Sequence, residues 1–259
     1  MKNPTLSYLT RGSPDREAIV FLHPFPLSAS FWDEGLRRLS ETHYCVAPNL
    51  PGFGQSNGTP GALYFENMVD AFLGFLEERG LERSIWCGLS MGGYVALRAM
   101  EKLPQRCAKL ILADTQAAAD SDADRLRRAA GLADLREQGL EAFLTKQAPK
   151  LLGPSGHADA ASLKRFLELG RESAAEGVAA GLVALATRTN TLEGLGQIKV
   201  PTLIVVGEED AVTPLAAAEK LKAGISGSRL AVLPKAGHLS ALTQPEAFYN
   251  EVRTFLKGS

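Results

Sequence analysis

The sequence predicts an α/β protein with a mostly parallel sheet, helices on both faces of the sheet and an inserted helical segment. Short apolar runs alternate with segments of helical periodicity through the first 114 residues. Strands and helices that alternate with short links are typical of a parallel sheet with crossover helices. The alternation stops after Asp114 and resumes near residue 202, which indicates an insertion within one core and not two tandem domains.

The predicted strands are short, and those near residues 19, 85 and 110 are almost wholly apolar, as expected of strands covered on both faces. The strands are predicted at Thr5–Leu9, Ala18–His23, Cys45–Leu50, Ser84–Leu89, Lys109–Asp114, Thr202–Gly207 and Arg229–Pro234. Apolar residues at every third or fourth position predict helices between them. These helices are Leu63–Arg79, Met91–Leu103, Pro214–Ala223 and Pro245–Leu256.

The insertion is rich in alanine and contains no convincing strand. We expect several helices there, with breaks near Pro149–Gly156 and Gly170. The predicted organisation is residues 1–116 as the first part of the core, residues 117–194 as a helical cap, and residues 195–259 as the second part of the core.

The composition favours a soluble protein that acts on a small molecule. The 259 residues include 28 basic and 29 acidic side chains, for a net charge of -1. This balance gives no electrostatic footprint for nucleic acid or for an anionic membrane. No run approaches the about 20 apolar residues of a spanning helix, and the amino terminus lacks the apolar stretch of a signal peptide. We expect a cytoplasmic protein, either a monomer or a homodimer.

The three cysteines, Cys45, Cys87 and Cys107, form no CxxC pair and lie in or beside apolar runs. We expect them to be buried structural thiols in a reducing compartment.

The strongest local signal is the hexapeptide GLSMGG at residues 88–93, between a predicted strand and a predicted helix. This is the context that a G-x-S-x-G motif requires. A serine on a sharp strand-to-helix turn adopts a strained backbone that lifts its hydroxyl clear of the sheet. Gly88 and Gly92 leave room where any Cβ would clash. Ser90 is therefore the candidate nucleophile, and the alternative is a glycine-rich turn with an incidental serine.

A serine hydroxyl needs a base to take its proton, and the chain has only four histidines. His43 lies in a polar turn, and His157 lies in a predicted loop of the insertion. His23 ends an early strand. His238 lies between the last strand and the last helix, on the sheet edge where Ser90 is also expected. His238 is therefore the candidate general base.

The base needs an acceptor on its other nitrogen to fix its tautomer. Asp210 and Asp114 each end a strand at this edge, and either could offer a carboxylate. Asp210 keeps the order serine, aspartate, histidine in its usual strand positions and is favoured, which leaves Asp114 as a structural or pocket residue. We expect Glu208 and Glu209 to face solvent.

Acyl transfer also requires donors for the negative oxygen, and one prepositioned donor is worth about 3–4 kcal/mol. The backbone N–H of Met91, at the start of a helix, is one candidate. The other is the N–H of Phe25, because Pro24 and Pro26 on either side have none to give. We expect His23 to brace this loop through a side-chain hydrogen bond. The alternative is a proline-stiffened turn with no catalytic part.

No metal or organic cofactor is expected, because no histidine pair has metal-ligand spacing and no phosphate-binding glycine loop appears. The residues expected to contact substrate are Phe25, Phe31, Asp114 and Phe143, beside an aliphatic wall from the insertion.

Taken together, these motifs resemble the α/β-hydrolase fold family nearly end to end. The resemblance rests on HPF at 23–25, NLPGFGQS at 49–56, GLSMGG at 88–93, GEED at 207–210 with TP at 213–214, and AGHL at 236–239. It implies Ser90, Asp210 and His238 as nucleophile, acid and base, with a helical cap between the family's sixth and seventh strands. Two positions depart from the pattern: Pro24 stands where relatives mostly have glycine, and Asn49 where they usually have aspartate.

Within the family, the GLSMGG and GHLS motifs, with QP at 244–245, are most similar to 3-oxoadipate enol-lactonases and to small carboxylesterases near them. An enol-lactone of this kind carries a free carboxylate, so the resemblance implies a cation in the pocket. The candidate cations in the insertion would by default lie on a solvated helix face; these candidates are Arg125, Arg127, Arg128, Lys146, Lys150 and Arg188.

The sequence thus predicts a serine hydrolase that cleaves a small-molecule carboxylic ester or lactone through an acyl-enzyme on Ser90. One alternative is carbon–carbon bond hydrolysis or perhydrolysis on the same three residues. Dehalogenase or epoxide hydrolase chemistry uses an aspartate nucleophile, and serine at position 90 argues against it. A ligand receptor that kept the fold is the non-enzymatic alternative.

Overall fold

The computed structural model describes residues 5–56 and 64–258. Within these ranges the sheet has seven strands in the order β1-β3-β2-β4-β5-β6-β7. Strand β1 is antiparallel to β3, and every other neighbouring pair is parallel. The strands are β1 (Tyr8–Arg11), β2 (Ala18–Leu22), β3 (Tyr44–Pro48), β4 (Ser84–Leu89), β5 (Cys107–Ala113), β6 (Thr202–Gly207) and β7 (Arg229–Leu233). The predicted α/β class with a mostly parallel sheet is confirmed.

Helices cover both faces of the sheet. Those that belong to the core are α1 (Asp33–Leu39), α2 (Phe65–Glu78), α3 (Met91–Lys102), α7 (Leu215–Gly224), α8 (Ser240–Thr243) and α9 (Pro245–Lys257). Between β5 and β6 lie α4 (Asp122–Ala158), α5 (Ala160–Gly170) and α6 (Ala175–Ala186). We refer to residues 122–186 as the helical segment.

Side chains of the central strands alternate between two apolar clusters, because successive Cβ atoms of a strand point to opposite faces. In β2, Val20 and Leu22 pack in the cluster that contains α2 and α3. Ile19 and Phe21 pack in the cluster that contains α1 and α9. All four are fully buried. The strands are therefore fixed on both sides, and the loops at their carboxyl ends start from rigid positions.

Three elements illustrate how the structure differs from the sequence prediction. Strand β1 lies at the sheet edge and starts at Tyr8, later than the predicted Thr5, because its half-exposed residues give no apolar run to mark its ends. Helix α1 was not predicted, since its seven residues are too few to establish a period. Helix α2 spans Phe65–Glu78, where the sequence predicted Leu63–Arg79. The first residue of that prediction lies outside the described ranges.

The helical segment contains breaks at glycines. The path of α4 turns at Gly139 and Gly153, where φ is 80° and 70°. The break at Gly153 falls in the predicted interval, and α5 ends at Gly170 as expected. The break at Gly139 was not predicted, because a single glycine within a helical pattern is usually tolerated. None of the described helices is long and apolar enough to cross a membrane.

All three cysteines are buried and free, as expected. Burial raises the pKa of the Cys45 and Cys107 thiols to about 12, and that of Cys87 still further. These thiols are therefore not poised as nucleophiles.

Candidate active site

Ser90 occupies the sharp turn between β4 and α3. Its φ of 53° and ψ of -114° are strained for a residue with a side chain. The surrounding backbone holds this conformation: the N–H of Ser90 donates to the carbonyl of Ala113 at 2.9 Å, and the hydroxyl of Thr115 donates to the carbonyl of Ser90 at 2.9 Å. The hydroxyl of Ser90 is thereby fixed at the carboxyl edge of the sheet.

Both flanking glycines are required by close backbone approach. A Cβ on Gly88 would lie 2.4 Å from the carbonyl oxygen of Gly92, as the motif predicts. A Cβ on Gly92, however, would lie 2.1 Å from the carbonyl oxygen of Leu22 in β2. The second glycine is thus needed for packing against the neighbouring strand, which the local sequence does not reveal.

His238 lies in the loop between β7 and α8 and contacts both other candidate residues. Its Nε2 is 2.7 Å from Oγ of Ser90, and its Nδ1 is 2.8 Å from Oδ2 of Asp210. The histidine is almost completely buried. The structure therefore brings together three side chains that the sequence separates by up to 148 positions.

Asp210 is held by the start of the next loop. The N–H groups of Val212 and Thr213 donate to its Oδ1 at 2.7 and 2.9 Å. The hydroxyl of Thr213 donates to Oδ2 at 2.8 Å. These donors orient the carboxylate so that its remaining lone pair faces His238.

Burial and charge oppose each other in this pair. Burial alone would raise the pKa of Asp210, but the neighbouring imidazole and the hydrogen bonds from His238 and Thr213 hold it below its usual value. Burial lowers the pKa of His238, and the Asp210 carboxylate more than offsets this, so the pKa of His238 lies above its usual value. The pair therefore favours an ionised aspartate beside an imidazole that readily accepts a proton.

Asp114, the other candidate acid, makes different hydrogen bonds and does not contact His238 within hydrogen-bond distance. Its Oδ1 accepts from the N–H of Gly207 at 2.9 Å, and its Oδ2 accepts from the N–H and hydroxyl of Ser240 at 3.1 and 2.6 Å. It connects β5, β6 and α8 and is fully buried, so burial and the charge of Asp210 raise its pKa to about 7. The cavity wall does not include it, contrary to its expected contact with substrate.

The two glutamates before Asp210 differ in environment. Glu208 is exposed, as expected. Glu209 is partly buried and accepts from the N–H and the hydroxyl of Ser155 at 2.8 and 2.6 Å. The expectation for Glu209 was wrong because its partner belongs to the helical segment, whose packing the sequence does not specify.

Phe25 lies in the loop after β2 and lines the same cavity as Ser90. His23 accepts from the N–H of Leu50 at its Nε2, at 3.0 Å, and its Nδ1 lies 3.2 Å from the carbonyl oxygen of Pro24. Burial lowers the pKa of His23 to about 4, so the ring is neutral and braces the loop as expected. Met91 is the first residue of α3, where backbone N–H groups have no intrahelical acceptor.

A cavity of about 390 Å³ opens onto Ser90 and His238. Phe25 and Phe143 line it, as predicted, with their ring centroids 6.3 Å apart. Phe31 does not line it. Phe31 packs on Trp32 at 4.9 Å within the apolar cluster of α1 and α9, because the short turn that carries it faces that side of the sheet.

Several lining residues were not identified from the sequence. Tyr94 lies one helical turn after Ser90 on α3 and therefore faces the same cavity, a relation that the i, i+4 spacing offered. Three leucines form part of an aliphatic wall, as was expected of the insertion in general terms: Leu151, Leu182 and Leu185.

Four of the six candidate cations border the cavity: Arg127, Arg128, Lys146 and Lys150. Arg127, Lys146 and Lys150 are nonetheless exposed, in agreement with the expected solvated face, and Arg128 is partly buried. The other two do not border it, since Arg125 pairs with Asp122 at the surface and Arg188 is buried against Asp120.

Lys150 stands apart from the other three cations at the cavity. Arg127 pairs with Asp124, Arg128 with Asp120 and Lys146 with Asp134; in the described ranges Lys150 has no such carboxylate partner. Burial, and then repulsion by the two arginines, lowers the pKa of Lys150. The cavity therefore contains one cation whose charge is not neutralised by an ion pair.

No group of three or more histidine, cysteine, aspartate or glutamate side chains in residues 5–56 and 64–258 is arranged to hold a metal ion.

A parallel α/β sheet with a hydrogen-bonded serine, histidine and aspartate at its carboxyl edge is the arrangement of the α/β-hydrolases. Residues 19–251 match the Alpha/beta hydrolase family, and the chain belongs to it.

Several relatives are named as ester or lactone hydrolases. The chain is 28% identical to 3-oxoadipate enol-lactonase 2 of Acinetobacter baylyi, over 97% of this chain and 93% of the relative. It is 29% identical to a pimeloyl-[acyl-carrier protein] methyl ester esterase of Nitrosomonas europaea, over 92% and 94%. A solved thermophilic esterase from Thermogutta terrifontis, with malate bound, superposes with a TM-score of 0.91 at 31% identity, over 97% and 93%. The predicted resemblance and the class of carboxylic ester hydrolases are confirmed.

Proposed function

We propose that the protein hydrolyses small carboxylic esters or lactones through an acyl-enzyme on Ser90. The observation that carries the proposal is the continuous hydrogen-bonded path from Ser90 through His238 to Asp210, with heavy-atom distances of 2.7 and 2.8 Å. Both distances are within the reach that proton transfer requires. The path ends in a cavity of about 390 Å³, which can hold a small acyl or alcohol group.

In the proposed first step, His238 takes the proton of Ser90 while Oγ bonds to the carbonyl carbon. The N–H groups of Phe25 and Met91 donate to the oxyanion that forms. The intermediate collapses with cleavage of the carbon–oxygen bond, and His238 gives its proton to the leaving alcohol. Water then attacks the acyl-enzyme by the same relay, which releases the acid and restores Ser90. A lactone differs only in that its alcohol remains tethered to the acyl group.

We further propose that residues 117–194 act as a cap. The helical segment contributes Phe143, Leu151 and Leu182 to the cavity wall, directly over Ser90 and His238. An apolar cover excludes water from the reacting carbonyl and strengthens the electrostatic contribution of the oxyanion donors. The cap therefore selects the substrate, and the sheet edge performs the chemistry.

Lys150 favours a substrate with an anionic group, such as a lactone with a free carboxylate. An ammonium without an ion-pair partner, close to other cations, gains a favourable interaction when an anion enters. This feature agrees with the name of the enol-lactonase relative, whose substrate class offers such a carboxylate.

Covalent labelling tests the chemistry. A fluorophosphonate should label Ser90, detected as a mass increase on the peptide that contains it, and the protein should hydrolyse nitrophenyl acetate. Rates on nitrophenyl esters of increasing acyl length, beside a panel of lactones, then define the substrate class. A protein that gives neither label nor hydrolysis would be a binding module on this fold, contrary to the proposal.

Lys150→Met tests the substrate's charge. We expect the ratio of kcat/KM for a carboxylate-bearing lactone to that for a neutral lactone to fall about tenfold, the effect of about 1.4 kcal/mol. Arg125→Met is the matched control, because Arg125 pairs with Asp122 at the surface outside the cavity. An unchanged ratio in Lys150→Met would exclude this cation from substrate recognition.

A further inference from the structure

The helical segment crosses the histidine loop at one place, which we call the junction: residues 151–155 of α4, residues 236–239 of the loop, and Glu209. The N–H of Leu239 donates to the carbonyl oxygen of Leu151 at 3.0 Å. A Cβ on Gly237 would lie 2.1 Å from the carbonyl oxygen of Leu152. The two backbones are therefore in direct contact immediately before and after His238.

Glu209 adds hydrogen bonds to both chain segments of the junction. Its carboxylate accepts two hydrogen bonds from Ser155, from the N–H at 2.8 Å and the hydroxyl at 2.6 Å. Its own N–H donates to the carbonyl oxygen of Ala236 at 2.8 Å. Glu209 also directly precedes Asp210. One residue thus connects the helical segment with both the histidine loop and the acid loop.

Gly153 makes this contact possible. Its φ of 70° is a left-handed conformation that favours glycine, and it turns α4 toward the loop. A Cβ there would lie 3.0 Å from Cα of Gly237 and 3.1 Å from Cβ of Glu209. The path of the chain at 153 is therefore shaped to pack on residues next to His238 and Asp210.

The geometry points to a positioning function for Glu209 and Ser155: by holding the helical segment against the loop 236–239, they keep His238 in line between Ser90 and Asp210. The inference rests on the proposed function, in which His238 relays the proton. An imidazole that must serve two partners at 2.7 and 2.8 Å in opposite directions depends on the position of its backbone. Small displacements of such a group reduce rates by large factors.

The junction also connects the histidine loop to the cavity. Leu151, whose carbonyl accepts from Leu239, carries a side chain that lines the cavity. Lys150 precedes it. The part of α4 that lines the cavity is therefore the same part that contacts the loop of His238.

Ser155→Ala removes one of the two hydrogen bonds to Glu209, and Glu209→Gln weakens both by removing the charge. For either variant we expect kcat on nitrophenyl acetate to fall about tenfold with KM within about twofold of wild type. Ser155→Thr, which keeps the hydroxyl, should recover most of the rate. Glu208→Gln is the matched control, because it makes the same change at the exposed neighbouring residue. Glu208 accepts from the N–H of Lys235 at 3.1 Å, and the amide oxygen of glutamine can accept the same hydrogen bond, so kcat should stay unchanged.

The titration of His238 gives a second readout that needs no turnover. Asp210 and Asp114 raise the pKa of this imidazole, whereas burial and Lys150 lower it. If the junction holds His238 against Asp210, loss of the junction weakens the interaction with Asp210, which contributes most to raising the pKa of His238. The imidazole NMR titration of Ser155→Ala should then move to lower pH, while that of Glu208→Gln should match wild type.

These measurements separate the two proposals. Wild-type kcat and a wild-type His238 titration in both Ser155→Ala and Glu209→Gln would overturn the positioning function and leave the acyl-enzyme chemistry intact. A rise in KM with kcat preserved would also overturn it, because the junction would then only shape the cavity. Wild-type protein that is not labelled at Ser90 would refute the proposed function, and the His238 titration would still decide on the junction.

Discussion

The carboxyl edge of the sheet and the helical segment build the cavity in different ways. At the sheet edge, side chains are buried, and backbone atoms approach so closely that Gly92 leaves no space for a methyl group. The outer part of the helical segment is less tightly packed: a Cβ on Gly139 would meet nothing within 4 Å, and most charges form ion pairs near the surface. Where the segment meets the core it is as tight as the sheet edge, since a Cβ on Gly177 would lie 1.7 Å from the carbonyl oxygen of Gly52. The difference teaches that substitution is hardly tolerated at the sheet edge and at the contacts of the segment with the core, and is tolerated on the outer face of the segment.

The hydrogen bonds in the two regions differ in kind as well. The contact between Asp210 and His238 is almost fully buried, with each remaining lone pair of the carboxylate oriented by donors from Val212 and Thr213. The pair Arg125–Asp122 is half to almost fully exposed, so water and salt screen it. Buried pairs therefore set the geometry of the site, whereas the exposed pairs of the helical segment contribute little.

The most severe test of this comparison is Ser90→Ala. Removal of the nucleophile should lower kcat by up to about 10⁶-fold, the scale measured for such a group in other serine hydrolases, with the fold intact by circular dichroism. Turnover of nitrophenyl acetate is the measurement. A purified variant that retained a tenth of the wild-type rate would show that the sheet edge does not supply the nucleophile.

Asp210→Asn should have the next largest effect, about 10⁴-fold in kcat, because the histidine loses the partner that fixes its tautomer. The variant should also change the pH profile. The base is active only when neutral, so activity falls below the pKa of His238, which Asp210 raises above its usual value. Without that charge the acidic limb of kcat/KM should move to lower pH. An acidic limb that stays in place would mean that another group controls it.

Gly92→Ala should destabilise the protein by about 1–3 kcal/mol, since the new methyl group would displace the backbone of β2. Urea unfolding followed by circular dichroism measures this change. Gly196→Ala is the control, because a Cβ at this exposed position meets nothing within 4 Å. Equal stability of the two variants would contradict the tight packing that we assign to the sheet edge.

The smallest effect is expected for Arg125→Ala in the helical segment. The lost pair with Asp122 is exposed, so the free energy of unfolding should change by less than about 0.5 kcal/mol. The same urea titration applies. A loss above about 2 kcal/mol would show that ion pairs of the helical segment are structural, and the contrast between the regions would weaken.

Much of the site could be predicted because its residues carry local signals. GLSMGG requires a strand before it and a helix after it, and β4 and α3 stand there within one residue of the predicted bounds. His238 follows from elimination among four histidines and from its place after the last strand. These inferences succeed because short-range sterics and strand order together bring distant residues to one sheet edge.

Inferences about tertiary contacts succeeded less often. Phe31 was expected in the cavity but packs in the apolar cluster of α1 and α9. Tyr94 lines the cavity and was not identified from the sequence. Glu209 was expected to face solvent and bonds to Ser155. In each case the outcome depends on how one element is rotated and seated on another, which periodicity alone does not encode.

The sequence by itself determined the fold class, the order of the strands along the chain and the serine, histidine and aspartate candidates, because each is set by residue type and short spacing. The sequence favoured Asp210 over Asp114 through residue order, and only the tertiary structure shows which of the two carboxylates contacts the histidine. Asp114 and Asp210 both follow strands at one edge of the sheet. The loop at 210–213 directs the carboxylate of Asp210 toward Nδ1 of His238, whereas the carboxylate of Asp114 accepts hydrogen bonds from Gly207 and Ser240. The physical reason is that a carboxylate is directed by the donors around it. The donors to Asp210 are local, at Val212 and Thr213, whereas those to Asp114, at Gly207 and Ser240, are far away in sequence and meet it only in the folded chain.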